Sequence, residues 1–185
     1  MSRAPNLLEI PAFSAGGDVH VLVETTRGSR AKFKYEPEVG AFLFSRSLAI
    51  GIAYPYDWGF VPSTMAEDGD PLDGLVIHEF ATFAGALFRC RPIGVLQVRQ
   101  REKGREFRND RVLFLPSAFA TGHGGDDALL TSELKSELER FFAAAVVGTG
   151  KELSYLGWQD SGEALASVKR SAAEFARQQR EKGDG

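Results

Sequence analysis

Three aspartates fall within six residues at Asp68, Asp70 and Asp73, in the run Glu67-Asp68-Gly69-Asp70-Pro71-Leu72-Asp73. Aspartate is short, Gly69 has no Cβ and Pro71 fixes its own φ, so such a run can turn tightly and aim several oxygens at one point. Like charges gathered in this way repel one another unless a cation offsets them. A ligand set made only of oxygen suits a hard divalent ion, Mg²⁺ above all where a phosphate is also bound. The residues alone therefore propose a Mg²⁺ site, against the plainer reading of a solvated acidic turn. An EF-hand calcium loop does not fit, because counting from Asp68 puts Asp73 at the sixth place, where that loop requires glycine.

The elements that must position this run are short strands. Val19 to Glu24 alternates, with Val19, Val21 and Val23 on one face, and Arg30 to Tyr35 alternates again, with Lys32 and Lys34 opposite Phe33 and Tyr35. Phe42 to Ile52 continues in β-type residues around Arg46, and Leu75 to Phe80, Leu87 to Arg99 and Arg111 to Leu115 are strand-like after the acidic run. The last third changes period. Leu134, Leu138, Phe141, Phe142 and Ala145 recur at helical spacing behind a cap at Thr131 or Ser132, and Leu165, Val168, Ala172 and Phe175 repeat the pattern after Asp160 and Ser161. Strands first and helices last predict an α+β fold, with the many short strands forming a small barrel or sandwich.

A chain of 185 residues, 43% hydrophobic and 25% charged, is expected to be one domain, residues 1–185, with an irregular arm at 1–17 and a frayed polar tail at 177–185. A net charge of −3 argues against nucleic acid or a membrane surface as partner. No apolar run of eighteen residues and no leader-like segment is visible, so the expected location is the cytoplasm. The single cysteine, Cys90, reads as a buried structural thiol. Arg99 to Arg111 carries six basic residues against Glu102, Glu106 and Asp110 and reads as a solvated hairpin tip around Gly104. Thr121 to Asp127 reads as a flexible loop with His123 exposed in it, while His20 and His78 read as ordinary strand residues.

The aromatic stretch Tyr54-Pro55-Tyr56-Asp57-Trp58-Gly59-Phe60-Val61-Pro62, followed by Asp68-Gly69-Asp70-Pro71-Leu72-Asp73, resembles the signature of the family I soluble inorganic pyrophosphatases. The likeness runs from about Asp18 to about Phe175 and includes Arg89 to Leu96, Phe141-Phe142 and Gly157-Trp158. It implies a closed five-stranded Greek-key (OB-like) β-barrel with C-terminal helices packed on it. It also implies Mg²⁺-dependent hydrolysis of inorganic pyrophosphate to two phosphates, and a homo-oligomer. By the same resemblance Asp68 and Asp73 ligate the water-activating metals, with Asp73 bridging, Asp70 assists as base, and Glu24 is an acid facing the metals from outside. Lys32 and Arg46 grip phosphate, and Tyr54 lines the site.

Other positions depart from the family's pattern. Lys34 stands where a second acid is implied, and Trp58 stands for a phosphate-binding tyrosine, which leaves only an N–H donor. Two further metal-ligating aspartates fall on Gln100 and Asn109, the lysine after the second becomes Arg111, and a Tyr-Lys pair becomes Ala145-Val146. Amides are poor substitutes for carboxylates on Mg²⁺. Asp110, Glu102 and Glu106 are the nearby acids that could compensate, although a one-residue slip in a strand reverses the side-chain face, so Asp110 would need a bulge. Two other readings stay open: a phosphate-binding or assembly module without catalysis, and a hydrolase of another phosphoanhydride or phosphate ester.

Overall fold

The computed structural model describes residues 6–119 and 129–183, so the expected loop around His123 lies outside the described residues. Five strands, β1 (Val19–Thr25), β4 (Asp57–Val61), β5 (Leu72–Val76), β8 (Arg111–Pro116) and β6 (Leu87–Glu102), pair in that order. β1 then pairs back onto β6, so the five strands form a ring. All of these pairings are antiparallel except β5 with β8. The long β6 overshoots the ring and also pairs with β7 (Arg105–Arg108) and β9 (Lys151–Gln159). A separate hairpin, β2 (Ala31–Glu36) and β3 (Ala41–Ser47), stands beside β1.

The ring interior is filled by apolar side chains such as Val21, Val61, Val76, Val95 and Phe114, all fully buried. Each such burial contributes about 1.5–3 kcal/mol. β4 runs so close to β1 that a Cβ on Gly59 would meet the Leu22 carbonyl oxygen at 1.9 Å, so only glycine fits there. Helix α1 (Ser132–Ala145) starts at Thr131, whose side chain accepts the Leu134 N–H, and buries Leu138, Phe141 and Phe142. Those two phenylalanines pack edge-on against Tyr54 and Trp58, which fixes α1 over the end of β4. Helix α2 (Ser161–Gly183) lays Ala164 and Val168 on the opposite side of the core, with the Asp160 side chain accepting the Glu163 N–H at its start.

The α+β order and most predicted elements are present, with corrections. The third strand stops at Ser47 rather than Ile52, because Leu48 to Gly51 turns back with the Ile52 N–H bonded to the Ala49 carbonyl. Strand β5 begins at Leu72 rather than Leu75 and stops at Val76. Strands β4 and β9 were not expected as strands: β4 is buried on both faces and so shows no alternation, and in β9 the alternation is masked by Leu156 on the exposed face. Helix α2 runs through the polar tail to Gly183, where Arg177 pairs with Glu174 and Glu181 one turn away on either side. The basic stretch forms the expected hairpin tip, β6 and β7 closed by Lys103-Gly104. Cys90 is buried and unpaired, and burial raises its thiol pKa well above the ordinary value. Among the described residues no helix is long and apolar enough to cross a membrane.

Candidate active site

The acidic run connects β4 to β5 at one end of the ring. Gly69 takes φ 87°, its N–H bonds the Ala66 carbonyl, and the Ala66 N–H bonds the Asp70 carbonyl, which closes a tight turn. The Asp68 carboxylate accepts the Asp70 N–H at 3.1 Å, locking the loop from within. Asp68, Asp70 and, at the start of β5, Asp73 thereby line one side of a cleft of about 650 Å³.

The cleft is also lined by Lys32 and Lys34 on β2, Arg46 on β3, Arg111 on β8 beside Asp73, and Lys151 on β9. The β2–β3 hairpin that carries the first three is fastened to β1 by side chains. Thr25 Oγ1 accepts the Phe33 N–H, and Glu24 Oε1 accepts the Tyr35 N–H at 2.7 Å. Glu24 is 5% exposed, and its burial, above all, raises its pKa to about 7. Asp68 is pushed up to about 6, mainly by desolvation and next by the charge of Asp73. Lys32 is lowered from its ordinary value by burial. Arg46 Nη2 donates to the Ala145 carbonyl at 2.6 Å, so this cation caps the negative end of α1 while lining the cleft.

Two of the three aspartates already hold cations of the protein. Lys34 Nζ lies 2.7 Å from Asp70 Oδ2, with both side chains about half exposed. Arg111 Nη1 lies 2.9 Å from Asp73 Oδ2, with Arg111 almost fully buried. Asp68 makes no ion pair among the described residues.

Behind Arg111 runs a chain of hydrogen bonds. Arg111 Nη1 donates to the Asn109 side-chain and backbone oxygens, Asn109 Nδ2 donates to Gln100 Oε1 at 3.1 Å, and Gln100 Nε2 donates to Glu102 Oε2 at 3.1 Å. Glu102 Oε2 in turn pairs with Lys151 at 3.2 Å. The guanidinium carbon sits 5.3 Å from the centre of the Trp58 ring and 5.9 Å from that of Phe142, and Lys32 Nζ sits 5.6 Å from the Trp58 ring. Such cation–ring contacts are each worth about 0.5–2 kcal/mol.

The predicted site residues therefore divide. Glu24, Lys32, Arg46, Asp68, Asp70, Asp73 and Arg111 are brought together around the cleft. Trp58 and Tyr54 are not: both are buried beneath it, Trp58 as a floor under the cations and Tyr54 against Trp58 and Phe141. Asp110 points to the other face, where its carboxylate accepts the Val98 N–H at 2.9 Å and is gripped by Arg108. No bulge returns it to the cleft, since Asn109 occupies the inward position. Glu106 pairs with Arg99 and Glu102 with Lys151, so neither acid turns inward to replace the missing carboxylates. Glu24, expected to face the metals from outside, also fastens the strands by accepting the Tyr35 N–H. Reasoning on the sequence missed Lys151 and Thr149 as cleft residues, because nothing local marks them; they reach the site through the pairing of β9 with β6.

A hard divalent ion finds donors on one side only. Asp68, Asp70 and Asp73 are short carboxylates that line one cleft, Asp68 with no ion pair among the described residues, and they fit such an ion. On the opposite side the inward groups are amides already bonded to each other, and these do not fit. Among the described residues no three His, Cys, Asp or Glu side chains are gathered closely enough to hold an ion as they stand. The arrangement suits a small polyanion held between a cationic face and a carboxylate face.

Comparison with known proteins gives the same direction. Residues 21–176 match the family described as "Inorganic pyrophosphatase". The chain is 35% identical over 169 residues to an inorganic pyrophosphatase of Nostoc sp., covering 90% of this chain and 96% of that protein. It is 34% identical over 174 residues to one of Thermus thermophilus, covering 92% and 98%. The crystal structure of inorganic pyrophosphatase from Thermus thermophilus superposes with a TM-score of 0.82 at 33% identity, covering 93% of this chain and 99% of that one.

Proposed function

Since the chain belongs to the inorganic pyrophosphatase family, we propose that its cleft hydrolyses inorganic pyrophosphate to two phosphates with Mg²⁺ as the divalent ion. The observation that carries this reading is the juxtaposition in one cleft of Asp68, Asp70 and Asp73 with Lys32, Arg46 and Arg111. Asp68 and Asp73 would hold the ion, Asp73 through Oδ1 because Oδ2 is taken by Arg111. When bound, such an ion neutralises phosphate oxygens and lowers the pKa of an attached water toward neutrality. Every other step falls to side chains. Lys32, Arg46 and Arg111 bind and orient the pyrophosphate oxygens and hold the leaving phosphate. Asp70, with Oδ2 fixed by Lys34, keeps Oδ1 to accept the proton of the attacking water as the bridging P–O bond breaks. Glu24 keeps the Lys32-bearing hairpin in place.

The same reading takes the five-stranded ring as the OB-like barrel of the family. It takes the protein as a homo-oligomer, for which the exposed Phe80 and Phe119, 5.6 Å apart, offer an apolar surface. The free thiol of Cys90 suits a reducing compartment such as the cytoplasm. Phosphate release from pyrophosphate with Mg²⁺ between neutral and alkaline pH tests the activity. Turnover that disappears in Asp73→Ala is the expected result, and turnover no greater than that of the variant would leave only a binding module.

A further inference from the structure

The two sides of the cleft are not equally prepared for metal, and the unprepared side is filled. Where the family resemblance leads one to expect two carboxylates, Gln100 and Asn109 are buried and bonded to each other, and their chain of hydrogen bonds ends on Arg111. A guanidinium is always charged. This one is held from three directions: by Asp73 at 2.9 Å, by the oxygens of Asn109, and by the rings of Trp58 and Phe142 on which it rests. Its Nε is buried and has no hydrogen-bond partner among the described residues. A donor left without an acceptor in so complete a setting points to a ligand oxygen that would complete it.

We propose that Arg111, oriented by Asn109 and Gln100, is a built-in cation that takes the place of a second divalent ion, so the free cleft loads one divalent ion per chain, on the Asp68–Asp73 side. The guanidinium sits against one of the carboxylates a second ion would use, and the groups beside it are neutral. A second ion would thus meet a fixed positive charge and no free carboxylate. Arg111, which stands where the resemblance implies a lysine, then leaves a positive charge beside the phosphate oxygens without the ion, with Nε–H as the donor. The inference rests on the reading that the acidic side holds the divalent ion. It concerns the number of ions bound and can fail while hydrolysis stands.

The test is calorimetric titration of the metal-stripped full-length chain with Mn²⁺ or Mg²⁺ alone, without pyrophosphate. One ion per chain is expected, lost in Asp68→Asn. The double variant Asn109→Asp with Arg111→Gln restores a carboxylate and removes the guanidinium, and it is expected to gain a second ion. Two or more ions in the wild-type chain would overturn the inference even if the double variant does not fold. A folded double variant that still binds a single ion would overturn it as well. No ion bound by the wild type would overturn both this inference and the metal reading of the acidic side, whereas two ions bound with phosphate release intact would overturn this inference alone.

Discussion

On the acidic side of the cleft, Asp68 and Asp70 hang from a loop closed by Gly69, and Asp73 stands at the start of β5. On the amide side, Gln100, Asn109 and Arg111 project from paired strand ends, are buried, and bond to one another. The first side is under-satisfied: Asp68 is raised to about 6 because its charge is poorly solvated and lies beside like charges. The second is closed except for Arg111 Nε. An incoming ion or phosphate gains most where the protein has left charge unbalanced. Under the proposed function, the ion-dependent chemistry falls to these carboxylates and the positioning of the anion to the cations on the strands.

Removing Asp73 should break the arrangement most severely, since it takes away an ion ligand and leaves Arg111 without its carboxylate. Asp73→Ala is expected to lower turnover by at least about a hundredfold, and by more than Glu24→Ala does; equal losses in steady-state assays would contradict the ranking. Arg111→Ala comes next. It should reduce the rate by roughly a hundredfold, and it should also destabilise the fold by up to about 3 kcal/mol in urea unfolding, because a partly buried carboxylate is left unpaired. A variant as stable as the wild type would mean that Asp73 does not depend on it.

Glu24 sharpens the comparison through pH. Its folded pKa of about 7 lies above the ordinary 4.5, mainly through burial, so the folded chain holds a proton that the unfolded chain has lost. Its contribution is therefore most favourable below about pH 4.5 and is lost as pH rises through about 7, on the order of 3 kcal/mol in all. For metal-free protein, unfolding at pH 5 and pH 8 should show this decline, and Glu24→Gln should flatten it; an unchanged slope would place the effect elsewhere. The smallest effect belongs to the exposed Lys34–Asp70 pair. Lys34→Ala should change stability by less than about 1 kcal/mol and turnover only severalfold. A loss comparable with that of Arg111→Ala would make Lys34 a direct participant.

How legible each side was follows from how local its chemistry is. The acidic loop could be read from Asp68 to Asp73 because the turn residues and the candidate ligands are the same six residues. The strand side could not. That Gln100 meets Asn109 depends on the antiparallel return of the chain through Lys103-Gly104, and that both serve Arg111 depends on which face each strand residue takes. Asp110 shows the cost of one residue: a neighbour in sequence, it lies on the opposite face and binds the Val98 N–H. Trp58 was expected at the phosphate and instead lies beneath the cations, because a ring beside Gly59 is drawn into the packing of α1. Strand β9, its alternation masked by the exposed Leu156, was missed, and Lys151 with it.

The most direct measurement is the initial rate of phosphate release from pyrophosphate at saturating Mg²⁺, with the wild type, Asp68→Asn and Asn109→Ala assayed together. If the loop carries the chemistry and the amides only aim Arg111, Asp68→Asn falls to background while Asn109→Ala is slowed yet keeps its dependence on Mg²⁺. Turnover surviving in Asp68→Asn, or abolished in a folded Asn109→Ala, would contradict that division of labour.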